Sequence, residues 1–225
     1  MAVQLDFLKS IVYFSELGLA ELESIRKVIF EKTADRAEMV LFEGESVANA
    51  NLYFVTSGAV KVFKTSAEGK EQILSIVRPG ESFNDVPIFD GGPNPASARA
   101  MGPVILYGIK KNDMEASLRD HPRIALNVIR VLARRVRHLV SLVEDLSFRH
   151  VINRVAKILF EHIGGEMGRG PRLTQQEIAA MAGTAREVVG RSLKALEEEG
   201  VIKIDRHRII ITDKEALQKI MEVPS

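Results

Sequence analysis

The sequence contains no cysteine. Without a thiol there is no disulfide, no thiolate metal site, no cysteine-ligated iron–sulfur cluster and no thiol redox switch. No apolar run reaches the roughly 18–20 residues that a helix needs to span a bilayer, and the N-terminus lacks a secretory pattern. A cytoplasmic location is therefore expected. A surplus of charge of one sign is missing too, because the formal net charge is +1. An anionic partner must then be met by a local arrangement of charge. No paired carboxylate, Ser–His–Asp pattern or phosphate loop stands out, and Gly91-Gly92-Pro93 lacks the strand–Gly-x-Gly–helix setting of a nucleotide loop. The five histidines, His121, His138, His150, His162 and His207, lie outside the segment read below as β, which argues against a cupin-like metal enzyme. The chain is not expected to be an enzyme. What is present is 225 residues, 46% hydrophobic and 27% charged, which suits a soluble chain with one large core or two ordinary ones.

The periodicity changes along the chain. Leu5, Leu8, Phe14, Leu17, Leu19, Leu22 and Ile25 recur at helical spacings, predicting short helices between residues 5 and 32. Short apolar or alternating runs follow at 39–42, 52–55, 59–63, 72–77 and 104–109. Glu43-Gly44-Glu45, Ser57-Gly58, Glu68-Gly69-Lys70, Pro79-Gly80 and Asp90-Gly91-Gly92-Pro93 punctuate them. Many short strands with such turns predict a β-roll or barrel. Residues 113–146 then read as one long helix. Its apolar residues Ala125, Ile129, Leu132, Val136, Leu139, Val143 and Leu146 alternate steps of four and three, a heptad seam. Ile124, Val128 and Val131 make a second stripe beside it. The seam fits either burial in its own domain or contact with a second copy. Its persistence over about three heptads, opposite Arg130, Arg134, Arg137 and Glu144, favours the second copy. A break is expected at 145–150, then a helix over 151–163 and a Gly-rich loop.

The next segment carries the strongest local signal. Thr174 and Glu177 have capping-box spacing, and Gly183 suits the left-handed end of a helix over 175–182. Thr184-Ala185-Arg186-Glu187 starts a second helix, again with cap spacing, giving a helix-turn-helix over 174–199. On a wheel of about 100° per residue, Arg186, Glu187, Gly190, Arg191 and Lys194 fall within about 140°. Val188, Val189, Ser192, Leu193 and Leu196 fill the sector from about 200° to 340°. The plain alternative is a solvated amphipathic helix with Glu187 as a cap residue. A helix of this composition also fits a DNA major groove, where Arg pairs with guanine and Glu accepts from cytosine. The strands 201–204 and 209–212 then form a wing whose tip, with Lys203, Arg206, His207 and Arg208, meets flanking phosphates.

The run Leu173-Thr-Gln-Gln-Glu-Ile-Ala-Ala-Met-Ala-Gly-Thr-Ala-Arg-Glu-Val-Val-Gly-Arg-Ser-Leu-Lys-Ala-Leu-Glu-Glu-Glu-Gly-Val-Ile202 resembles the reading head of regulators related to the cyclic-AMP receptor protein and the fumarate–nitrate reduction regulator, the Crp-Fnr family. The resemblance covers nearly the whole chain. It implies an α+β architecture with three parts. These are a jelly-roll sensor (1–112), a long dimerisation helix (113–146) and a winged helix-turn-helix (147–225). It also implies a homodimer on a palindromic TGTGA-like DNA site of about 20 base pairs, controlled by a small-molecule effector, with RNA polymerase as a further partner. Carried over, Arg186 and Arg191 contact guanines, Glu187 contacts the complementary strand and Gln176 touches phosphate. Thr184, Lys194 and Arg206 complete the expected DNA-binding set.

The resemblance weakens in the sensor. The family's cyclic-nucleotide cassette has Gly-Glu for the ribose and Arg-Ser for the phosphate. This chain has Asn84-Asp85 and Pro95-Ala96 instead, and Leu139 and Val140 in place of the adenine-contacting Thr and Ser. A cyclic phosphate buried without its arginine is left unpaired, which is costly. The expected effector pocket is Asn84, Asp85, Pro95, Ala96, Ser97, Arg135 and Leu139, with an effector other than cyclic AMP. The Pro-Asn-Pro-Ala-Ser-Ala run resembles members that sense nitric oxide or other small signals, some through haem. A haem-based sensor of nitric oxide, carbon monoxide or oxygen is therefore an alternative. It needs an axial ligand, for which His138, His121 and Met101 are the candidates. A second alternative is a cyclic-nucleotide-binding module that acts on a protein partner and not on DNA.

Overall fold

The computed structural model describes residues 4–46, 50–163, 173–205 and 208–222. The chain divides into two compact units, Met1–Lys64 with Leu74–His138, and Thr65–Ile73 with Leu139–Ser225.

The first unit opens with helix α1 (Leu5–Ser10), a 3-10 turn (Val12–Phe14) and helix α2 (Leu19–Val28). Among the described residues ten strands follow, eight of them in two four-stranded sheets. In chain order these are β1 (Ile29–Ala34), β2 (Met39–Leu41), β3 (Asn51–Ser57), β4 (Val60–Thr65), β5 (Glu71–Val77), β6 (Ser82–Phe83), β7 (Ser97–Ala100) and β8 (Val104–Lys110). One sheet has the order β1-β8-β3-β6 and the other β2-β7-β4-β5. The short helix α3 (Asp85–Asp90) lies between β6 and β7.

β3 and β8 explain why their sequences read as continuous apolar runs. Successive side chains of a strand point to opposite faces. Leu52 and Phe54 of β3, with Tyr107 and Ile109 of β8, pack with Phe14, Leu22, Ile25 and Ile124. Tyr53 and Val55, with Val104 and Leu106, join Val40, Val60, Phe83 and Ala98 in a core between the sheets. Each strand thus serves two cores, so neither face is polar.

β1 is absent from the sequence reading, which placed helices throughout residues 5–32. No Gly or Pro separates α2 from β1, and Ile29 is both the helix cap and the first strand residue. Phe30 stands opposite Gly108, and a Cβ on Gly108 would lie 2.2 Å from the Phe30 ring. The glycine makes room for the aromatic ring.

The expected single helix over 113–146 is two helices, α4 (Lys111–Asp120) and α5 (Pro122–Phe148), parted at His121. Proline lacks an N–H and pushes the residue before it out of the helical region. His121 accordingly has φ −130° and ψ 78°, and Pro122 begins the next helix. Ile124 and Val128 are buried in the first unit. Along the heptad seam Ile129, Val136 and Val143 are about 60% exposed. No described helix is long and apolar enough to cross a membrane.

The second unit contains α6 (Val151–Ile163), α7 (Gln175–Ala182), α8 (Arg186–Glu198), the paired strands β9 (Ile202–Asp205) and β10 (Arg208–Ile211), and α9 (Lys214–Glu222). Val155, Leu159, Ile178, Val189, Leu196 and Leu217 are central to its core.

Candidate nucleic-acid interface and sensor pocket

The α7–turn–α8 segment is held by local chemistry. Thr174 Oγ1 accepts from Glu177 N at 3.2 Å, and Thr174 N donates to Glu177 Oε2 at 2.7 Å. This reciprocal pair satisfies two donors at the start of α7. Gly183 ends α7 at φ 63°. A Cβ there would meet Leu146 Cδ2 at 2.6 Å, so both conformation and space require glycine. Arg154 Nε donates to Ala182 O at 2.9 Å, which satisfies a carbonyl left over at the end of α7.

α8 starts differently from expectation. Its cap residue is Ala185, with no side-chain cap bond, and Thr184 N donates to Ala179 O at 3.0 Å. Thr184 therefore belongs to the turn. Val189, Ser192, Leu193 and Leu196 are buried, while Arg186, Glu187, Arg191 and Lys194 are exposed, as is Gln176 on α7. Lys194 Nζ lies 3.7 Å from Glu198 Oε1 on the open surface. Such a pair is weak and screened, so it leaves the lysine able to meet phosphate. Gly190 sits among these charged residues, and an added Cβ would have no atom within 4 Å. Internal packing gives no reason for a glycine that costs about 1 kcal/mol in a helix. Lys203 and Arg208 are exposed on the wing strands, and Arg206 and His207 lie outside the described residues.

In the first unit the expected pocket residues divide between two places. Asp85 is 1% exposed. It accepts from Ser82 Oγ at 3.0 Å and from the Tyr13 hydroxyl, and it pairs with the Arg135 guanidinium. Arg135 also donates to the carbonyl of Ser82 and, at 2.9 Å, to its hydroxyl. Burial first, and then the neighbouring Asp85 charge, push the Tyr13 phenol above its ordinary range. Asn84, one position earlier, has φ 67° and donates through Nδ2 to Asn51 O at 2.9 Å. Its side chain lines a cavity of about 340 Å³ with Glu45, Ser46, Asn51, Tyr53 and Asn94. Pro95 is exposed, Ala96 is buried, and Ser97 Oγ accepts from Glu43 N at 3.0 Å. Leu139 belongs to the second unit and is exposed.

Tyr13, Ser82, Glu45 and Asn94 were not singled out by sequence. The one legible signal was Asn84, because asparagine tolerates a left-handed backbone at a turn.

Two of the three haem candidates, the histidines, have partners within the protein. His138 Nε2 lies 3.0 Å from Leu74 O, and His121 Nδ1 lies 3.4 Å from Glu21 Oε1. The described lining of the cavity holds no histidine or methionine.

A two-sheet domain joined in one chain to a helix-turn-helix with an exposed basic face defines a class, the DNA-binding regulators. Residues 31–121 match a cyclic nucleotide-binding domain model, and residues 153–220 a Crp-like helix-turn-helix domain model. A CRP-like cAMP-activated global transcriptional regulator of Mycobacterium tuberculosis is 34% identical over 191 residues, covering 82% of this chain and 84% of the relative. The cyclic AMP receptor protein of Thermus thermophilus is 36% identical over 169 residues, 75% of this chain and 78% of the relative. The catabolite activator protein structure from Thermus thermophilus is 31% identical, with a TM-score of 0.55 over 93% of this chain and 98% of that one. FixK2 from Bradyrhizobium japonicum, at 22% identity and a TM-score of 0.76, covers 88% of this chain and 100% of its own and shares the fold. The chain belongs to the Crp-Fnr family of DNA-binding transcription regulators.

Proposed function

We propose that the protein acts as a homodimer on a palindromic, TGTGA-like DNA site, with its affinity set by an effector other than cyclic AMP. In this reading residues 1–112 sense the effector, residues 113–146 make the dimer seam and residues 147–225 read DNA. RNA polymerase is the further partner, and the cytoplasm the setting, of such a regulator.

The carrying observation is the exposed face of α8. Arg186, Glu187, Arg191 and Lys194 surround a glycine that no internal contact requires. A groove that must come close to the helix supplies the missing reason, with Arg186 and Arg191 on guanines and Glu187 on the opposite strand. Gln176 and Thr184 on the first helix and turn, with Arg206 on the wing, contact the backbone and fix register. The dimer is supported by the seam residues Ile129, Val136, Leu139 and Val143, which remain exposed in the single chain.

Two of the relatives above are named for cyclic AMP. Here Pro95-Ala96 stands where the resemblance places Arg-Ser, and Asp85, at the ribose-binding position, is already paired with Arg135 and Tyr13. Fluorescence anisotropy with a labelled palindromic duplex tests the whole reading. Tight, salt-dependent binding that is lost on a scrambled duplex and unchanged by cyclic AMP is expected. Equal affinity for both duplexes defeats sequence-specific reading. A gain of affinity on adding cyclic AMP defeats the effector assignment.

A further inference from the structure

We propose that the 340 Å³ cavity of the first unit binds a small molecule that pairs a cationic amine with hydroxyl or amide groups, the amine meeting Glu45. The proposal rests on the reading of this unit as an effector sensor and gives that effector a chemical class.

Charge is the first argument. Among the described residues lining the cavity, Glu45 carries the one formal charge, and Lys, Arg and His are absent. Glu45 and Ser46 are exposed, so the carboxylate stands at the open side of the cavity, where its field attracts a cation and repels an anion. Glu45 Oε2 is held by Phe42 N at 3.1 Å and Asn94 Nδ2 at 3.3 Å. A carboxylate has about four acceptor positions, so these bonds fix its place without exhausting it.

Polarity of the walls is the second. The amide nitrogens are engaged with the protein itself. Asn94 Nδ2 donates to Phe42 O at 3.1 Å as well as to Glu45, Asn84 Nδ2 to Asn51 O at 2.9 Å, and Asn51 Nδ2 to the Tyr53 hydroxyl at 3.3 Å. Both Asn94 Nδ2 hydrogens are thereby committed and Asn84 and Asn51 commit one each, which reduces the donors left to meet a ligand. An ammonium group offers three donors and no acceptor, and hydroxyls add more. Tyr53 keeps its proton, because burial and the nearby Glu45 charge raise its pKa.

Construction is the third. Gly44 N donates to Asn94 O at 2.8 Å and Asn94 N to Glu45 O at 3.1 Å, a backbone clasp between the segment after β2 and the segment before β7. Val40 and Leu41 supply an apolar side. The volume lies at the small end of ligand sites, which suits an amino sugar or a short diamine.

The test uses the full-length protein with glucosamine, its uncharged counterpart glucose, and cyclic AMP as probes. Glucosamine at about five times its Kd is expected to raise Tm by roughly 2–4 °C, with glucose and cyclic AMP inert. Glu45→Gln, which keeps an acceptor for Phe42 N and Asn94, is expected to weaken glucosamine by about tenfold or more in calorimetry. Asn84→Gly preserves the positive φ and is expected to weaken it too, which covers a Glu45 variant that fails to fold. Equal responses to glucose and glucosamine, or undiminished binding in both variants, overturn the proposal. Absence of any glucosamine response in protein that still binds its duplex overturns it as well and leaves the regulator reading intact. Loss of duplex binding in the unaltered protein strikes that reading instead.

Discussion

The Tyr13 hydroxyl donates to Asp85, a residue 72 positions further along the chain, at the point where Arg135 of α5 reaches the same carboxylate. Three separate segments thus meet at one buried charge. Each contributes something the others lack: the aspartate a charge, the arginine its counter-ion, and the tyrosine a neutral donor.

The tyrosine makes the network sensitive to alkali. Its folded-state pKa lies above the unfolded value, so its contribution is complete below the unfolded pKa of about 10 and is lost as pH rises beyond it. Tyr13→Phe removes the donor and is expected to cost about 1–3 kcal/mol near neutral pH. Urea titrations at successive pH values check this. The gap in midpoint between the two proteins narrows above about pH 10, and a constant gap refutes the assignment.

Arg135→Met leaves Asp85 as a buried charge without its partner. A loss of about 3–5 kcal/mol is expected for the first unit. Adding Asp85→Asn to the same protein removes the orphaned charge and restores part of the loss. Calorimetry of the wild type, both single variants and the double variant measures the coupling.

Gly190→Ala separates stability from DNA reading. The new Cβ meets nothing within 4 Å. Alanine favours helix by about 1 kcal/mol, so Tm holds or rises. Affinity for the specific duplex falls in the same protein if this face enters the groove. Arg186→Ala and Arg191→Ala are expected to cost about 1–3 kcal/mol and to relax base preference. A loss equal on all duplexes would make them phosphate contacts.

Charges placed in the seam test the dimer. Val136→Glu with Val143→Glu puts like charges along the proposed contact, at positions about 60% exposed in the single chain. Sedimentation is expected to show a monomer with unchanged helix content. A dimer that survives both substitutions moves the interface elsewhere.

The sequence made the helix-turn-helix legible because its devices are local. Thr174 and Glu177 sit one turn apart, and Gly183 marks its own left-handed conformation. The strands β3 and β8 were legible from length and turns, although serving two cores erased their alternation. β1 escaped because its partner contact, Phe30 over Gly108, joins residues far apart in sequence. The sensor escaped for the same reason. Nothing in the neighbourhood of Tyr13 or Glu45 announces that one will hold Asp85 and the other will line a cavity with Asn84. The break at His121 was missed although its cause is local, because the helical periodicity of 113–146 was read through Pro122.

Asp85 and Asn84 are consecutive residues in different company, one buried with Tyr13 and Arg135 and one on the cavity lining. The buried carboxylate is already engaged by this chain's own Tyr13, Ser82 and Arg135. One residue step therefore separates the cavity wall from the buried charge that holds Arg135 of α5.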